Sequence, residues 1–380
     1  MFQITDTPLA GIERFKIIKR QVMLGLFKRN KKKKNNPIYL SLTVKAIQWH
    51  GKNAATIVFE EPSEPFEYKA GQYLTIITEV EGQQERRSYS LNSSPVLDTN
   101  PAVTIKREEG GKVSGYLIDN LKPGDEVKII RPMGNFTTEI RSDNKRHLVM
   151  IGGGSGITPL YSILTTVLMQ EPDSRVSLLY ANRNEENIIF REELQKLKDQ
   201  YGDRFDLHLI LSRPEGEWQG LKGRLTAETL ADIMGENPAE NQYFLCGPQG
   251  LMQIAENYLK GKGCEAVFKE SFVATEEIKN MKAEPDTSRK SSEVTVLMHG
   301  EEYTFTVEPD KTILETALDN NIDMPYSCQS GICTTCRCKK LEGEVEMETS
   351  EGLTDGEIED GYVLVCVGHA KSPKVKLDLE

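Results

Sequence analysis

Five of the seven cysteines in this 380-residue chain fall between Cys328 and Cys366. Cys328, Cys333 and Cys336 form a Cys-x4-Cys-x2-Cys run, and Cys366 follows far downstream. A loop this short can wrap a metal cluster and aim its backbone N–H groups at the sulfurs, but the fourth thiolate must come from elsewhere in the fold. Ser330 and Gly331 inside the loop allow the backbone to approach closely. A structural zinc site usually pairs two Cys-x2-Cys knuckles, and only one occurs here. The spacing is that of a [2Fe–2S] site with Cys328, Cys333, Cys336 and Cys366 as ligands. Cys338 fits no ligand position and reads as a bystander packed near the loop.

Such a cluster needs a chain in which cysteines stay reduced. No stretch reaches the ~20 apolar residues of a membrane span. The first residues lack an uninterrupted apolar h-region and a small-residue cleavage site, so a cytosolic location is expected. There, cysteines serve as thiols or metal ligands rather than disulfides. The net charge of −11 disfavours nucleic acid as a main partner. Residues 1–36 are nevertheless strongly basic, with lysines at 31–34, and Ile12, Phe15, Ile18 and Val22 fall at helical spacing. This segment reads either as a solvated tail or packed helix, or as a basic amphipathic helix for a membrane surface or an acidic partner. The acidic end of the chain carries Glu342, Glu344, Glu346 and Glu348, then Asp355, Glu357, Glu359 and Asp360.

The length predicts two or three domains. Over residues 37–145, short runs at 39–46, 55–59, 73–78, 103–106 and 126–130 are broken by Gly, Pro and Asp turns, which predicts an antiparallel β-barrel. Over 146–272, strands at 147–151, 176–180, 205–211 and 242–245 alternate with helical stretches, which predicts an α/β parallel-sheet domain. Residues 273–292 are polar and aperiodic and read as a linker. Residues 293–380 read as a small α+β unit, with a hairpin at 294–307 and a helix at 313–320.

The stretch 325–338, PYSCQSGICTTCRC, closely resembles plant-type ferredoxins. That resemblance implies a β-grasp fold for 293–380 and a one-electron carrier. Upstream, Arg87-Ser88-Tyr89-Ser90, preceded by Gly71-Gln72-Tyr73, resembles the flavin motif of the ferredoxin–NADP reductase superfamily. The resemblance implies that Tyr89 packs on the isoalloxazine, Arg87 meets the pyrophosphate and the Ser90 hydroxyl lies near flavin N5, with Ser88 between them. Gly111-Lys112-Val113-Ser114 places backbone N–H groups and a hydroxyl at a helix start, which suits a pyrophosphate. In that superfamily this pattern accompanies FAD, so FAD is expected over FMN.

Gly152-Gly153-Gly154-Ser155-Gly156-Ile157-Thr158-Pro159 follows directly on a strand. Thr158 is expected as N-cap and Pro159 at the first helical position. Gly153, Gly154 and Gly156 would let a dinucleotide pyrophosphate reach the helix N-terminus. This loop resembles the nicotinamide-dinucleotide loop of the same superfamily. Cys246-Gly247-Pro248 ends a later strand, and the resemblance implies that Cys246 lies against the nicotinamide; the plainer reading is a small buried residue. Glu270 and Phe272, near the end of the domain, are carried over as residues close to the flavin. Coenzyme choice turns on the residues after the second and third strands. Arg183 and the pair Ser212-Arg213 stand there with no acid at the first turn position, which favours NADPH, with NADH as the alternative.

The order flavin barrel, nucleotide domain, ferredoxin resembles the FAD- and [2Fe–2S]-containing oxygenase reductases, phenylacetyl-CoA epoxidase reductase components among them. The resemblance implies electron flow from NADPH through FAD and the cluster to an oxygenase, hydroxylase or desaturase, with Ser90, Cys246 and Glu270 at the chemistry. An NADH-dependent reductase of a soluble aromatic-ring oxygenase and a redox-responsive binding module are the other readings.

Overall fold

The computed structural model describes residues 38–234, 237–272 and 290–379. The basic segment 1–36 and residues 273–289 of the expected linker lie outside the described residues.

Strands β1 (Tyr39–His50), β2 (Ala54–Phe59), β3 (Tyr73–Val80), β4 (Gln83–Ser90), β5 (Ala102–Lys106) and β6 (Glu126–Met133) pair antiparallel in the order β4-β3-β6-β1-β2-β5. The two edges of this sheet meet, because Leu91 bridges to Val103 and the Asn92 N–H donates to the Ala102 carbonyl at 3.0 Å. Closure leaves no open edge. β1 runs longer than the sequence predicts, since a register shift between Val44 and Ala46 lets its first half pair with β6 and its second half with β2. Alternate residues such as Leu42 and Val44, Leu74 and Ile76, Val103 and Ile105 fill the interior. Helix α1 (Lys112–Asn120) adds Val113, Leu117 and Ile118 to that core.

The next unit has β7 (His147–Gly153), α2 (Ile157–Gln170), β8 (Arg175–Asn182), α3 (Arg191–Tyr201), β9 (Phe205–Leu211), β10 (Leu221–Lys222), α4 (Ala227–Met234), β11 (Gln242–Cys246), α5 (Gln249–Gly261) and β12 (Val267–Glu270). Its parallel sheet has the order β10-β9-β8-β7-β11-β12. The order reverses between β7 and β11, so a crevice opens beyond their carboxyl ends. α2 is apolar almost all round because it is covered on both sides. One side meets the sheet and the other meets the barrel, whose Ala54, Ala70 and Phe136 join the same buried cluster as Leu160, Ile163 and Phe244.

The last unit contains β13 (Ser292–Met298), β14 (Glu301–Val307), α6 (Ile313–Asp319), β15 (Arg337–Glu342), β16 (Val345–Met347), α7 (Asp355–Glu359), β17 (Tyr362–Leu364), β18 (Gly368–Ala370) and β19 (Lys374–Leu379). A mixed sheet in the order β14-β13-β19-β15-β17 grasps α6, which starts on a capping box between Thr312 and Glu315. Its apolar core, from Val294 to Leu379, contains no barrel residue among the described ones. The barrel thus meets the nucleotide unit through a shared apolar core, and meets the C-terminal unit through the polar contacts described next.

Candidate functional site

The loop from Cys328 to Cys336 curls so that its backbone points inward at sulfur. The N–H groups of Ser330 and Cys333 donate to Cys328 Sγ, and that of Cys328 donates to Cys333 Sγ, each at 3.4 Å. Gly331 adopts φ +75°, and a Cβ there would lie 2.6 Å from Thr349 Cγ2, so the loop can close only around glycine. Cys366 arrives from just beyond β17. The four sulfurs share one pocket: hydrogen bonds from the Cys333 and Cys366 thiols hold Cys328 well below the usual thiol range. The same bonds to Cys328, together with burial, push Cys333 and Cys366 up. Among the described residues no three or more His, Cys, Asp or Glu side chains form a single-ion site. A two-iron cluster asks for two thiolates per iron instead, and these four fit it. The buried Ser330 hydroxyl has no hydrogen-bond partner in the protein, so the loop holds a spare donor. Cys338, buried on β15, points its thiol to the Cys336 carbonyl at 3.8 Å and stays outside the set.

This loop sits on the barrel. The Tyr73 hydroxyl meets the Cys333 carbonyl and the hydroxyls of Thr334 and Thr335. Ser88 Oγ donates to Ser327 Oγ at 2.9 Å and also contacts Thr75. Arg86, 6% exposed, pairs with Asp323 at 3.0 Å and lies 4.1 Å from the Tyr326 ring centroid. Asn135 donates to Glu357, which also takes Arg337. Sequence reasoning assigns no role to Arg86, Thr335 or Asp323, and places Tyr73 only upstream of the flavin motif. The strand alternation that puts barrel residues on one face is visible in the sequence, but the partner across the seam is not.

On the nucleotide side, β7 delivers Gly152 and Gly153, a 3-10 turn spans Gly154–Gly156, and α2 begins at Ile157. The expected cap and helix start are both corrected: Gly156 is the N-cap, Pro159 is the third helical residue rather than the first, and the Thr158 hydroxyl donates to the Ser155 carbonyl at 3.0 Å inside the first turn. The extra turn moves the helix start back. A Cβ on Gly156 would collide with the Cys246 carbonyl and lie 2.9 Å from the Gly247 nitrogen. One on Gly153 would lie 2.7 Å from Pro248 Cδ, so Cys246-Gly247-Pro248 forms the facing wall. Tyr180 fixes the loop by donating to the Gly154 carbonyl at 2.8 Å. Lys106, at the end of β5, brings its Nζ to 3.2 Å from where a Gly154 Cβ would stand, and burial lowers its pKa.

Cys246, Glu270 and Ser90 are brought together. Cys246 opposes Gly152 on one side and Glu270 on the other in the parallel ladders. Ser90 Oγ donates to Glu270 Oε2 at 3.2 Å. The Glu270 carboxyl is enclosed, and desolvation pushes it up to about 8. Burial, with the Glu270 charge beside it, pushes the Cys246 thiol well up. Phe272 stands two residues further on, with 46% of its surface exposed.

Arg87 pairs with Glu85 at 2.9 Å and donates to the Arg86 carbonyl. Tyr89 leans on the barrel core, and burial pushes its phenol up. α1 opens on Gly111 without a side-chain cap, so the N–H groups of its first turn remain available; Ser114 Oγ accepts from the Glu108 N–H at 3.0 Å. Lys112 reaches Glu81 in the β3–β4 turn at 3.3 Å. Arg183 and Arg213 are adjacent, since the Arg213 N–H donates to the Arg183 carbonyl at 2.7 Å and the Ser212 N–H to the Asn182 carbonyl at 3.0 Å. Both guanidiniums are exposed and have no ion-pair partner among the described residues.

A closed antiparallel barrel, a parallel nucleotide sheet and a β-grasp unit with four converging cysteines define a flavin- and iron–sulfur-dependent NAD(P)H oxidoreductase. The models of the oxidoreductase FAD-binding domain, the oxidoreductase NAD-binding domain and the 2Fe-2S iron-sulfur cluster binding domain match residues 41–138, 150–257 and 296–371. The chain belongs to the family of FAD- and [2Fe–2S]-containing reductases with the phthalate dioxygenase reductase architecture. It is 32% identical to a component of the 1,2-phenylacetyl-CoA epoxidase of Escherichia coli (strain K12), over 90% of this chain and 97% of that protein. It is 33% identical to the ferredoxin reductase component of 3-ketosteroid-9-alpha-monooxygenase from Rhodococcus rhodochrous, over 89% and 96%. The solved structure of phthalate dioxygenase reductase shares the fold, with a TM-score of 0.56, 24% identity and coverage of 90% of this chain and 98% of that one.

Proposed function

We propose that this chain takes electrons from NADPH and delivers them, through FAD and a cluster held by Cys328, Cys333, Cys336 and Cys366, to an oxygenase, hydroxylase or desaturase. The observation that carries this reading is continuity. Cys246 opposes Glu270, Ser90 bonds Glu270, Tyr73 opposes Ser90, and Tyr73 touches Cys333. Nucleotide crevice and cluster loop therefore share a wall. When bound, the flavin supplies the exchange between a two-electron donor and a one-electron carrier.

The chain's own residues place and shield these groups. The glycine loop and the positive end of α2 receive a pyrophosphate, and Lys106 adds a cation beside it. Arg87, Tyr89 and the first turn of α1 hold the flavin. Phe272 covers its face. Ser90 donates its one proton to Glu270, so it is the protonated Glu270 that offers a hydrogen bond at neutral pH without placing a charge beside the nicotinamide. Cys246 fills the crevice floor as a neutral thiol.

Arg183, Ser212 and Arg213 form the pocket for a ribose 2′-phosphate. NADH remains the second reading, because Glu185 accepts the Glu215 N–H at 2.9 Å and so sets acids beside the same strand ends. The acceptor class follows from the relatives named above, which are parts of an epoxidase and a monooxygenase. Residues 1–36 would add contact with an anionic membrane, tested by vesicle sedimentation before and after their deletion.

Anaerobic stopped-flow mixing with NADPH, followed by cytochrome c as artificial acceptor, tests the path. Flavin bleaching followed by cluster bleaching supports it. Flavin reduction that never reaches the cluster sinks it.

A further inference from the structure

Flavin and nucleotide binding account for Arg87, Tyr89 and Ser90 of β4, and leave Tyr73 of β3 with no part in either. Tyr73 opposes Ser90 and Thr75 opposes Ser88, so these four share one face of the ladder, while Leu74 and Tyr89 share the other. The Tyr73 ring packs against Gly134, where a Cβ would stand 2.9 Å from the ring. Its hydroxyl has left the barrel entirely and lies among loop atoms: the Cys333 carbonyl, Thr334 Oγ1 at 3.3 Å and Thr335 Oγ1 at 3.1 Å. Thr335 Oγ1 is itself 3.3 Å from Cys333 Sγ. Tyr73 and Thr335 are only 4% and 1% exposed, so solvent does not compete for these hydrogens.

The donors and acceptors restrict the pattern. A carbonyl only accepts, and so does a ligand thiolate. Thr335 has one proton and Tyr73 has one. With the phenol donating to the Thr335 oxygen, the threonine's own proton is turned toward Cys333 Sγ. A hydrogen bond to a ligand sulfur favours the more negative, reduced cluster and raises its potential.

Resting on the electron path proposed above, we propose that Tyr73 is a positioning residue for the cluster: through Thr335 it directs a hydrogen bond onto the Cys333 sulfur and sets the driving force of the flavin-to-cluster step. No covalent bond or proton changes hands at Tyr73. One electron leaves the reduced flavin and arrives on the cluster, and the threonine hydrogen bond stabilises the added charge. The barrel thereby tunes a redox centre that another unit of the chain ligates.

The test uses full-length protein loaded with flavin and cluster, as wild type, Tyr73→Phe, Thr335→Val and Thr335→Ser. Redox titration with detection of the reduced cluster by electron paramagnetic resonance gives the midpoint potential. Anaerobic stopped-flow gives the flavin-to-cluster step. Tyr73→Phe and Thr335→Val should each lower the equilibrium constant for that step roughly tenfold, which is about 59 mV for one electron. Thr335→Ser, which keeps the hydroxyl, should retain the wild-type potential. A wild-type potential in Tyr73→Phe would overturn the proposal whatever Thr335→Val shows, as would a wild-type potential in Thr335→Val or a Thr335→Ser value that falls with it. A wild-type flavin that never reduces the cluster would instead remove the electron path itself.

Discussion

Ser90 and Glu270 lie 180 residues apart in sequence and are joined by a hydrogen bond of 3.2 Å, with Glu270 accepting. The bond ties the end of a barrel strand to the end of the nucleotide sheet, on the line where the two units meet.

That bond surrounds an acid whose pKa is raised by burial to about 8, from an ordinary 4.5. The protonated form is the one the fold prefers. Its contribution to stability is complete below 4.5 and is lost as pH rises through the interval to about 8. Glu270→Gln, neutral throughout, should flatten this part of the profile. Urea unfolding midpoints measured across the interval check it. Parallel profiles for the two proteins would mean that the carboxyl is not enclosed.

Cys333→Ser should abolish electron delivery to one-electron protein acceptors while NADPH still bleaches the flavin. Anaerobic stopped-flow absorbance separates the two events. A mutant that reduces a cluster-dependent acceptor at the wild-type rate would break the proposed order.

Arg213→Glu should raise KM for NADPH roughly tenfold or more, because a charged hydrogen bond worth ~1.5–3 kcal/mol is lost. KM for NADH should change far less. Steady-state kinetics with both coenzymes decide this, and equal effects would remove the 2′-phosphate assignment.

Gly156→Ala should cost about 1–3 kcal/mol, the usual range for overpacking. The added methyl meets the Cys246 carbonyl, a backbone atom with no rotamer to yield. Denaturant unfolding reads the loss, and coenzyme titration should show weakened binding in the same variant.

Arg86→Ala removes the ion pair to Asp323 and the cation over Tyr326. A desolvated cation–π contact is worth about 2 kcal/mol. The polar seam should open more often, and hydrogen exchange at residues 323–327 should accelerate, while the apolar seam near Phe136 and Phe244 stays protected. Unchanged exchange at 323–327 would show that Arg86 does not hold the seam.

Local signals carry far in this chain. The cysteine spacing requires a loop with inward N–H groups whatever surrounds it, and Gly331 shows why only that backbone closes. The strand–glycine–helix pattern locates the crevice, although the added 3-10 turn takes the cap from Thr158 to Gly156. Arg183 and Arg213 can be named as a pair because neighbouring parallel strands end side by side. Contacts made only when distant units dock are not legible. Ser88, which the motif places with the flavin residues, has its hydroxyl on Ser327 and Thr75. Tyr73 and Arg86 look like ordinary strand residues until the loop beside them is known. Part of the acidic run is also satisfied internally, with Glu348 on His369 and Glu346 on Lys371, which no count of charges reveals.

β4 has one further consequence. Its Arg86 and Ser88 side chains reach the cluster unit, Ser90 reaches Glu270, and Tyr89 packs against the barrel core from the other face. A strand cannot slip by one position without exchanging its faces. A single inserted residue, harmless in most surface hairpins, would here strip two redox centres of their supports at once. The hairpin from 73 to 90 works as a shared reading frame, and its length should drift less than its composition as such reductases diverge.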